Sequence, residues 1–206
     1  PESVAGDSWT APTPAAATAD IRVVGIQEVV DLKASNVAAG SGGGLSPNAQ
    51  AWAAYFAGAY GAAYSLVAVK QLMGLLLLVF VDKGLRDDCS ACSMDAVPFG
   101  LMGVIGNKGV VAASLRVRGS TLCVVNCHLT AHRTPTALAA RNSEYAQAVQ
   151  RLAFDGKTAA APTLAAHNFI VWLGDMNYRL MLTNAEVRKL SAERAWKALY
   201  GVDELR

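Results

Sequence analysis

The chain lacks a dominant charge. Its 206 residues carry 18 Lys and Arg against 16 Asp and Glu, a formal net charge of +2. No global basic field draws it to nucleic acid, so an anionic ligand has to be captured by a local cluster. Cysteine is scarce, at Cys89, Cys92, Cys123 and Cys127. Cys89-Ser-Ala-Cys92 has CxxC spacing, but no second pair completes a zinc site and no βαβ pattern supports a redox motif. The pair reads as an incidental loop feature. Cys123 and Cys127 fall in an apolar run and read as buried thiols. Nothing here implies an oxidising compartment. The first twenty residues are rich in Pro, Ala and Thr, without the charged start and apolar centre of a signal peptide. Long apolar runs are missing too. The most hydrophobic stretch, residues 72–81, contains Gly74 and is flanked by Lys70 and Asp82. It is too short to span a bilayer and reads as a buried strand. A cytoplasmic location is the expectation.

What is present suits one sizeable domain, with 53% apolar residues to fill a core. Residues 1–19 and a Gly/Ser/Ala-rich stretch near 38–47 read as flexible or inserted segments. Between and beyond them the pattern predicts a strand over 21–26 and a helix over 48–58 carrying Trp52, Tyr55 and Phe56 on one side. Strands follow over 64–73 and 75–81, broken at Gly74, and then a polar loop over 86–95. Strands 110–117 and 121–127 form a hairpin around Arg118-Gly119-Ser120. A helix begins after Thr134 with Pro135 at its first position. The apolar run 169–173 reads as a buried strand whose end Gly174 allows to turn. Thr183-Asn184-Ala185-Glu186 is a capping box, and Ser191 is a candidate cap for a last helix carrying Trp196 and Leu199. Several strands adjoin without a helix between them, which argues for mixed sheets with helices outside.

Four polar clusters stand at ends of these apolar strands. Gln27-Glu28 follows the first; a carboxylate there can hold a hard divalent cation such as magnesium. Asn107-Lys108-Gly109 precedes the strand 110–117, and Lys108 can meet a phosphate as a point charge. His128 and His132 follow 121–127, without the Glu that would make them a zinc site. Asp175 and Asn177 follow 169–173. Alternation in extended chain would aim both at one site, the acid as base for water and the amide as its partner. Alone, these residues are also ordinary turn formers.

Taken together, the clusters resemble the inositol polyphosphate 5-phosphatase catalytic domain. The matching strings are Gly-Ile-Gln-Glu-Val, Gly-Asn-Lys-Gly-Val, Val-Val-Asn-Cys-His-Leu-Thr-Ala-His and Trp-Leu-Gly-Asp-Met-Asn-Tyr-Arg-Leu. Arg141-Asn142-Ser143-Glu144-Tyr145 is similar to a further family segment. The resemblance covers residues 20–206 and implies an α/β fold of two packed mixed sheets flanked by helices, a DNase I-like four-layer sandwich. It implies magnesium at Glu28, and His128, Asp175 and Asn177 as catalytic residues. Asn107, Lys108, His132 and Arg179 would hold the other phosphates or support the site. The apolar stretch 99–105, with Leu101, Met102 and Ile105, would meet lipid at a membrane surface. The expected substrates are phosphoinositides such as phosphatidylinositol 4,5-bisphosphate, or soluble inositol polyphosphates, with no nucleic-acid partner. Oligomeric state is left open.

The chain departs from the family pattern in places. Cys127 stands where Ser is common. The family's opening Asn-bearing strand, its second signature and its closing Asp-His strand do not occur in these residues. The chain is therefore expected to be a truncated domain, weakly active or inactive alone. Two rival readings share the fold or the pocket: a nuclease or sphingomyelinase-like phosphodiesterase, and a non-catalytic phosphoinositide-binding module.

Overall fold

The apolar run after Gly74 becomes the one strand of its sheet buried on both faces. In the computed structural model, which describes residues 19–30, 44–101, 105–154 and 162–206, β3 (Leu75–Asp82) is buried from Leu75 to Val81. For Ala91, Leu101 and residues 105–107 only the backbone is described. Strand β3 lies between β1 (Ile21–Ile26) and β2 (Tyr64–Leu72), antiparallel to both. The second sheet runs β4 (Cys89–Leu101), β5 (Ile105–Val117), β6 (Ser120–His128) and β7 (Phe169–Asp175). It is mixed, because β6 and β7 are parallel while the other pairs are antiparallel.

Alternation along the strands sorts the core into three seams. Leu75, Leu77, Val79 and Val81 pack against Val111, Ala113, Leu115 and Val124 between the sheets. Leu76, Leu78 and Phe80 turn the other way, onto Ala49 and Phe56 of α1 (Pro47–Tyr60). Val110, Ala112, Cys123, Val125 and Cys127 face Ala148 and Leu152, at and just past the end of α2 (Pro135–Arg151). Helix, sheet, sheet and helix thus stack as the four-layer sandwich expected. Helix α1 is capped by Ser46, whose Oγ accepts the Ala49 N–H, and α2 by Thr134 in the same manner. The β5–β6 turn has Arg118 at φ 46° and Gly119 at φ 85°, the twist a two-residue hairpin prefers.

Several expectations are corrected. Residues 86–95 are not a loop: a 3-10 turn, Lys83–Asp88, leads into β4. An edge strand tolerates polar residues and even Pro98, so composition misled there. Strand pairing also continues through Leu101 and Ile105, and Phe99 is buried against the α2 layer. The stretch 99–105 is therefore not wholly a loop, and Met102 lies outside the described residues. Residues 169–171 are exposed rather than buried, because β7 is an edge strand and these positions face solvent. Gly174 does not end that strand. At φ 116° it carries β7 on to Asp175, where a Cβ would stand 2.6 Å from the Cys127 nitrogen. Ser191 caps nothing; it lies inside α3 (Asn184–Ala192), which opens on the expected Thr183 capping box, and the short α4 (Trp196–Gly201) starts after Ala195. Residues 1–18 and 31–43, including most of the proposed flexible segments, lie outside the described residues. No helix among the described residues is long and apolar enough to cross a membrane.

Candidate functional site

The strand register brings the polar clusters to one rim of the sandwich. His128 and Asp175 are direct partners at the shared ends of parallel β6 and β7, and Gly109 opposes His128 from antiparallel β5. Ile26, at the end of β1, lies opposite Leu76 near the start of β3. A buried side chain then locks the two rims together. Asn126, fully buried, donates from Nδ2 to the Leu76 carbonyl at 2.9 Å and to the Ile26 carbonyl at 3.3 Å. Its Oδ1 accepts Gln27 Nε2 at 2.6 Å. Glu28 follows directly, exposed and at φ 60°.

At the centre, Lys108 Nζ lies 2.5 Å from His128 Nε2. An ammonium can only donate, so Nε2 is the acceptor and the ring proton sits on Nδ1. Burial and then the Lys108 charge hold the His128 imidazole below its ordinary range, in keeping with a neutral ring. Lys108 is itself lowered, chiefly by burial, while Asp175 and Glu28 oppose the shift. Asp175 Oδ2 stands 3.5 Å from the same His128 nitrogen, on an exposed carboxylate. Buried imidazole, ammonium and exposed carboxylate therefore meet where solvent and an anion can enter.

Asp175 and Asn177 are not aligned by strand alternation. The chain turns, with Asn177 at φ 56°, and the Asn177 N–H donates to Asp175 Oδ1 at 3.0 Å. This Asx turn fixes one carboxylate oxygen and leaves Oδ2 toward His128. The Asn177 side chain is buried, donating to the Leu129 carbonyl and accepting from Arg179 Nη2. His132 is not drawn in: it is exposed at φ 81°, and its carbonyl serves as an acceptor for Arg141. The side chains of Asn107, Leu101 and Ile105 lie outside what is described.

Among the described residues no three His, Cys, Asp or Glu side chains form a closed metal cage. Magnesium does not require one, since it keeps several waters and binds through one or two carboxylates plus substrate phosphates. Glu28 offers one exposed oxygen donor whose charge reaches both Lys108 and His128. That donor set fits an open, water-rich cation site.

Sequence reasoning missed the supporting roles of four residues. Asn126 had a visible signal, a lone amide inside the apolar run Val124-Val125-Asn126-Cys127. Arg141 and Glu144 were noticed only as part of a family segment, yet both are buried. Glu144 accepts the Thr130 N–H at 2.8 Å and the Thr130 hydroxyl at 2.5 Å. Glu204 gave no signal at all. Cys127 accepts the Trp172 indole N–H at 3.2 Å, and burial pushes its thiol up to about 11; Cys123 is pushed up to about 12. Both are buried, unreactive thiols, and all four cysteines are free.

Comparison with known proteins adds the following. The family model described as endonuclease/exonuclease/phosphatase family 2 matches residues 3–206. The Arabidopsis thaliana type I inositol polyphosphate 5-phosphatase 4 is 34% identical over 148 residues, 69% of this chain and 27% of that protein. The Mus musculus type II inositol 1,4,5-trisphosphate 5-phosphatase is 36% identical over 148 residues, 70% of this chain and 15% of its own length. Human synaptojanin-1 is 30% identical over 90% of this chain and 11% of its own. Among solved structures, the inositol polyphosphate 5-phosphatase domain of SPsynaptojanin superposes with a TM-score of 0.72 at 27% identity. That match covers 91% of this chain and 52% of that one, which was crystallised with inositol (1,4)-bisphosphate and calcium. The chain thus spans only a minor part of the full-length relatives it matches.

Proposed function

The chain belongs to the endonuclease/exonuclease/phosphatase family, and from that premise we propose that it hydrolyses a phosphate monoester, the 5-phosphate of an inositol polyphosphate or phosphoinositide. The observation that carries the reading is the meeting of Lys108, His128 and Asp175 at one solvent-open rim. A cation and an imidazole beside a carboxylate suit a phosphate and an attacking water together. The relatives' names and the inositol bisphosphate in the SPsynaptojanin domain favour an inositol ring as the carrier.

Asp175 is the base. One of its oxygens is occupied by the Asn177 N–H, which leaves the other to orient and deprotonate water. General-base help of this kind is worth about 10²–10⁴ in rate. Lys108 and His128 line the place where the phosphate is bound, without bonding to it covalently. The Lys108 proton shared with His128 Nε2 is available to the leaving oxygen, and the Lys108 charge offsets the charge that develops. Arg179 and Asn107 are assigned to neighbouring phosphates, and Leu101, Met102 and Ile105 to the lipid. A magnesium ion held by Glu28 and the substrate would polarise the phosphoryl oxygen and stabilise the departing alkoxide.

The test is phosphate release from inositol 1,4,5-trisphosphate and from phosphatidylinositol 4,5-bisphosphate vesicles, beside strand cleavage of a DNA duplex, with and without magnesium. Weak, magnesium-dependent release is expected, leaving inositol 1,4-bisphosphate from the trisphosphate and phosphatidylinositol 4-phosphate from the vesicles. Turnover of the DNA with none of the inositol compounds would overturn the reading.

A further inference from the structure

Strand β7 ends the second sheet, and the Asp175–Asn177 turn starts at its last paired residue and leaves the sheet there. A turn in that place has sheet support on one side only. What holds it is a closed ring of hydrogen bonds. Asn177 Nδ2 donates to the Leu129 carbonyl at 3.0 Å. The next carbonyl, that of Thr130, accepts Arg141 Nη1 at 3.0 Å, as does that of His132. Arg141 Nη2 donates to Glu204 Oε2 at 2.6 Å, and the same oxygen accepts the Arg179 N–H at 2.9 Å. Arg179 Nη2 then returns to Asn177 Oδ1, closing the ring.

The ion pair in this ring is sealed from water. The Arg141 side chain is fully buried and that of Glu204 is 6% exposed. A buried ion pair is a doubtful source of net stability, but it is directional, and loss of one partner leaves a charge that must find another. Two routes link Glu204 to Asn177, one through Arg179 and the other through Arg141 and the 129–130 backbone. Both routes end on the two polar atoms of one amide. We propose that the Arg141–Glu204 pair is a positioning unit, which clamps both ends of the Asn177 side chain and thereby sets Asp175 for the water it activates. The link from clamp to reaction rests on the phosphatase reading above; the clamp itself does not.

The experiment follows the side-chain amide of Asn177 by NMR in the whole chain, with that of Asn48 as reference. Asn48, in α1, donates from Nδ2 to the Val29 carbonyl just past β1 and takes no part in the ring. In Glu204→Ala, hydrogen exchange at the Asn177 amide should rise at least tenfold while Asn48 changes less than twofold. Glu204→Gln, which keeps an acceptor oxygen without the charge, should lie between this variant and the parent; it decides the matter if the Ala variant does not fold. Unchanged exchange at Asn177 in a folded variant overturns the proposal, and so does an equal rise at Asn177 and Asn48, which would mean general loosening. Hydrolysis of inositol trisphosphate is a separate arm. A parent chain that cleaves DNA but not inositol trisphosphate sinks the phosphatase reading, whereas the exchange result alone decides the clamp. Where turnover is measured, Glu204→Gln should lower kcat at least fivefold with KM within twofold.

Discussion

Replacing Asn126 with Ala tests how the two sheets are held in register at the site. The substitution removes three hydrogen bonds: those to the Leu76 and Ile26 carbonyls, and that from Gln27 Nε2. A typical bond contributes about 1 kcal/mol net, and an orphaned buried group costs about 1–3 kcal/mol. The Leu76 carbonyl sits inside the sandwich and cannot recruit bulk water, whereas the Gln27 amide is only half-buried and can. The expected loss is therefore about 4 kcal/mol. For a chain of this size about 1 kcal/mol lowers Tm by about 2–4 °C, so a fall of about 8–16 °C should appear in thermal unfolding followed by circular dichroism. Asn126→Asp refines the test. A carboxylate would face the same two carbonyls with nothing to donate, so at pH 7 it should be less stable than the Ala variant. Burial would raise the folded-state pKa of such an acid. The folded form then binds the extra proton over the window between the ordinary value of about 3.9 and that raised value, and stability must fall as pH rises through it. The Asp variant should accordingly recover on acidification relative to Ala. An Ala variant within about 1 kcal/mol of the parent, on the scale of one bond, would refute the reasoning. So would an Asp variant at least as stable as Ala at pH 7.

Other outcomes follow from the same geometry. Asp175→Asn should cut phosphate release by about 10²–10⁴ with inositol phosphate binding retained, because only the proton acceptor is lost; calorimetric loss of binding instead would move Asp175 from base to ligand. His128 titrates low through burial and Lys108, so the unfolded chain binds its proton first as pH falls through about 6.5. The parent should then lose more Tm than His128→Gln between pH 7 and pH 5, and equal slopes would count against a neutral His128. In Lys108→Met the His128 ring should titrate at higher pH by NMR, since one of its two lowering causes is gone; an unmoved titration would show that burial alone sets it. Ser at Leu101, Met102 and Ile105 together should reduce turnover of vesicle-borne lipid at least fivefold and leave soluble inositol trisphosphate within twofold. An equal loss on both substrates would make the segment structural.

The sequence was most legible where local chemistry and tertiary context agreed. The helix starts after Thr134 and Thr183, the Arg118-Gly119 turn and the buried run of β3 all follow from local rules, and the sandwich leaves those rules undisturbed. Errors gathered at sheet edges. Cys89 to Asp95 looks too polar for a strand because an edge strand has one side in water. Phe169 to Val171 looks buried because hydropathy cannot tell an open edge from a closed one. Of the proposed site, Lys108, His128, Asp175, Asn177 and Arg179 do converge, and His132 does not. The supports were harder to see. Arg141 and Glu204 are 63 residues apart, and nothing local to either marks it as half of a buried pair.

This division has a physical cause that bears on how the site works. Strand ends are good places for reactive groups because the register aligns them, and here one antiparallel and one parallel pairing bring Gly109, His128 and Asp175 into line. Register fixes position along a sheet but does not fix the spacing between two stacked sheets, nor the path of a turn beyond an edge. Each of those freedoms is removed by a buried polar group: Asn126 sets the spacing between sheets, and the Arg141–Glu204 pair sets the turn. A misplacement of about 1 Å can cost about 10²-fold in rate, so these residues should matter to catalysis without touching substrate. Their two effects should also separate. Asn126→Ala shifts Glu28 against His128 and should weaken the response to magnesium, whereas Glu204→Gln loosens Asp175 and should leave the magnesium concentration for half-maximal phosphate release unchanged. A Glu204 variant whose magnesium requirement rises as much as that of Asn126→Ala would show that the two supports act as one.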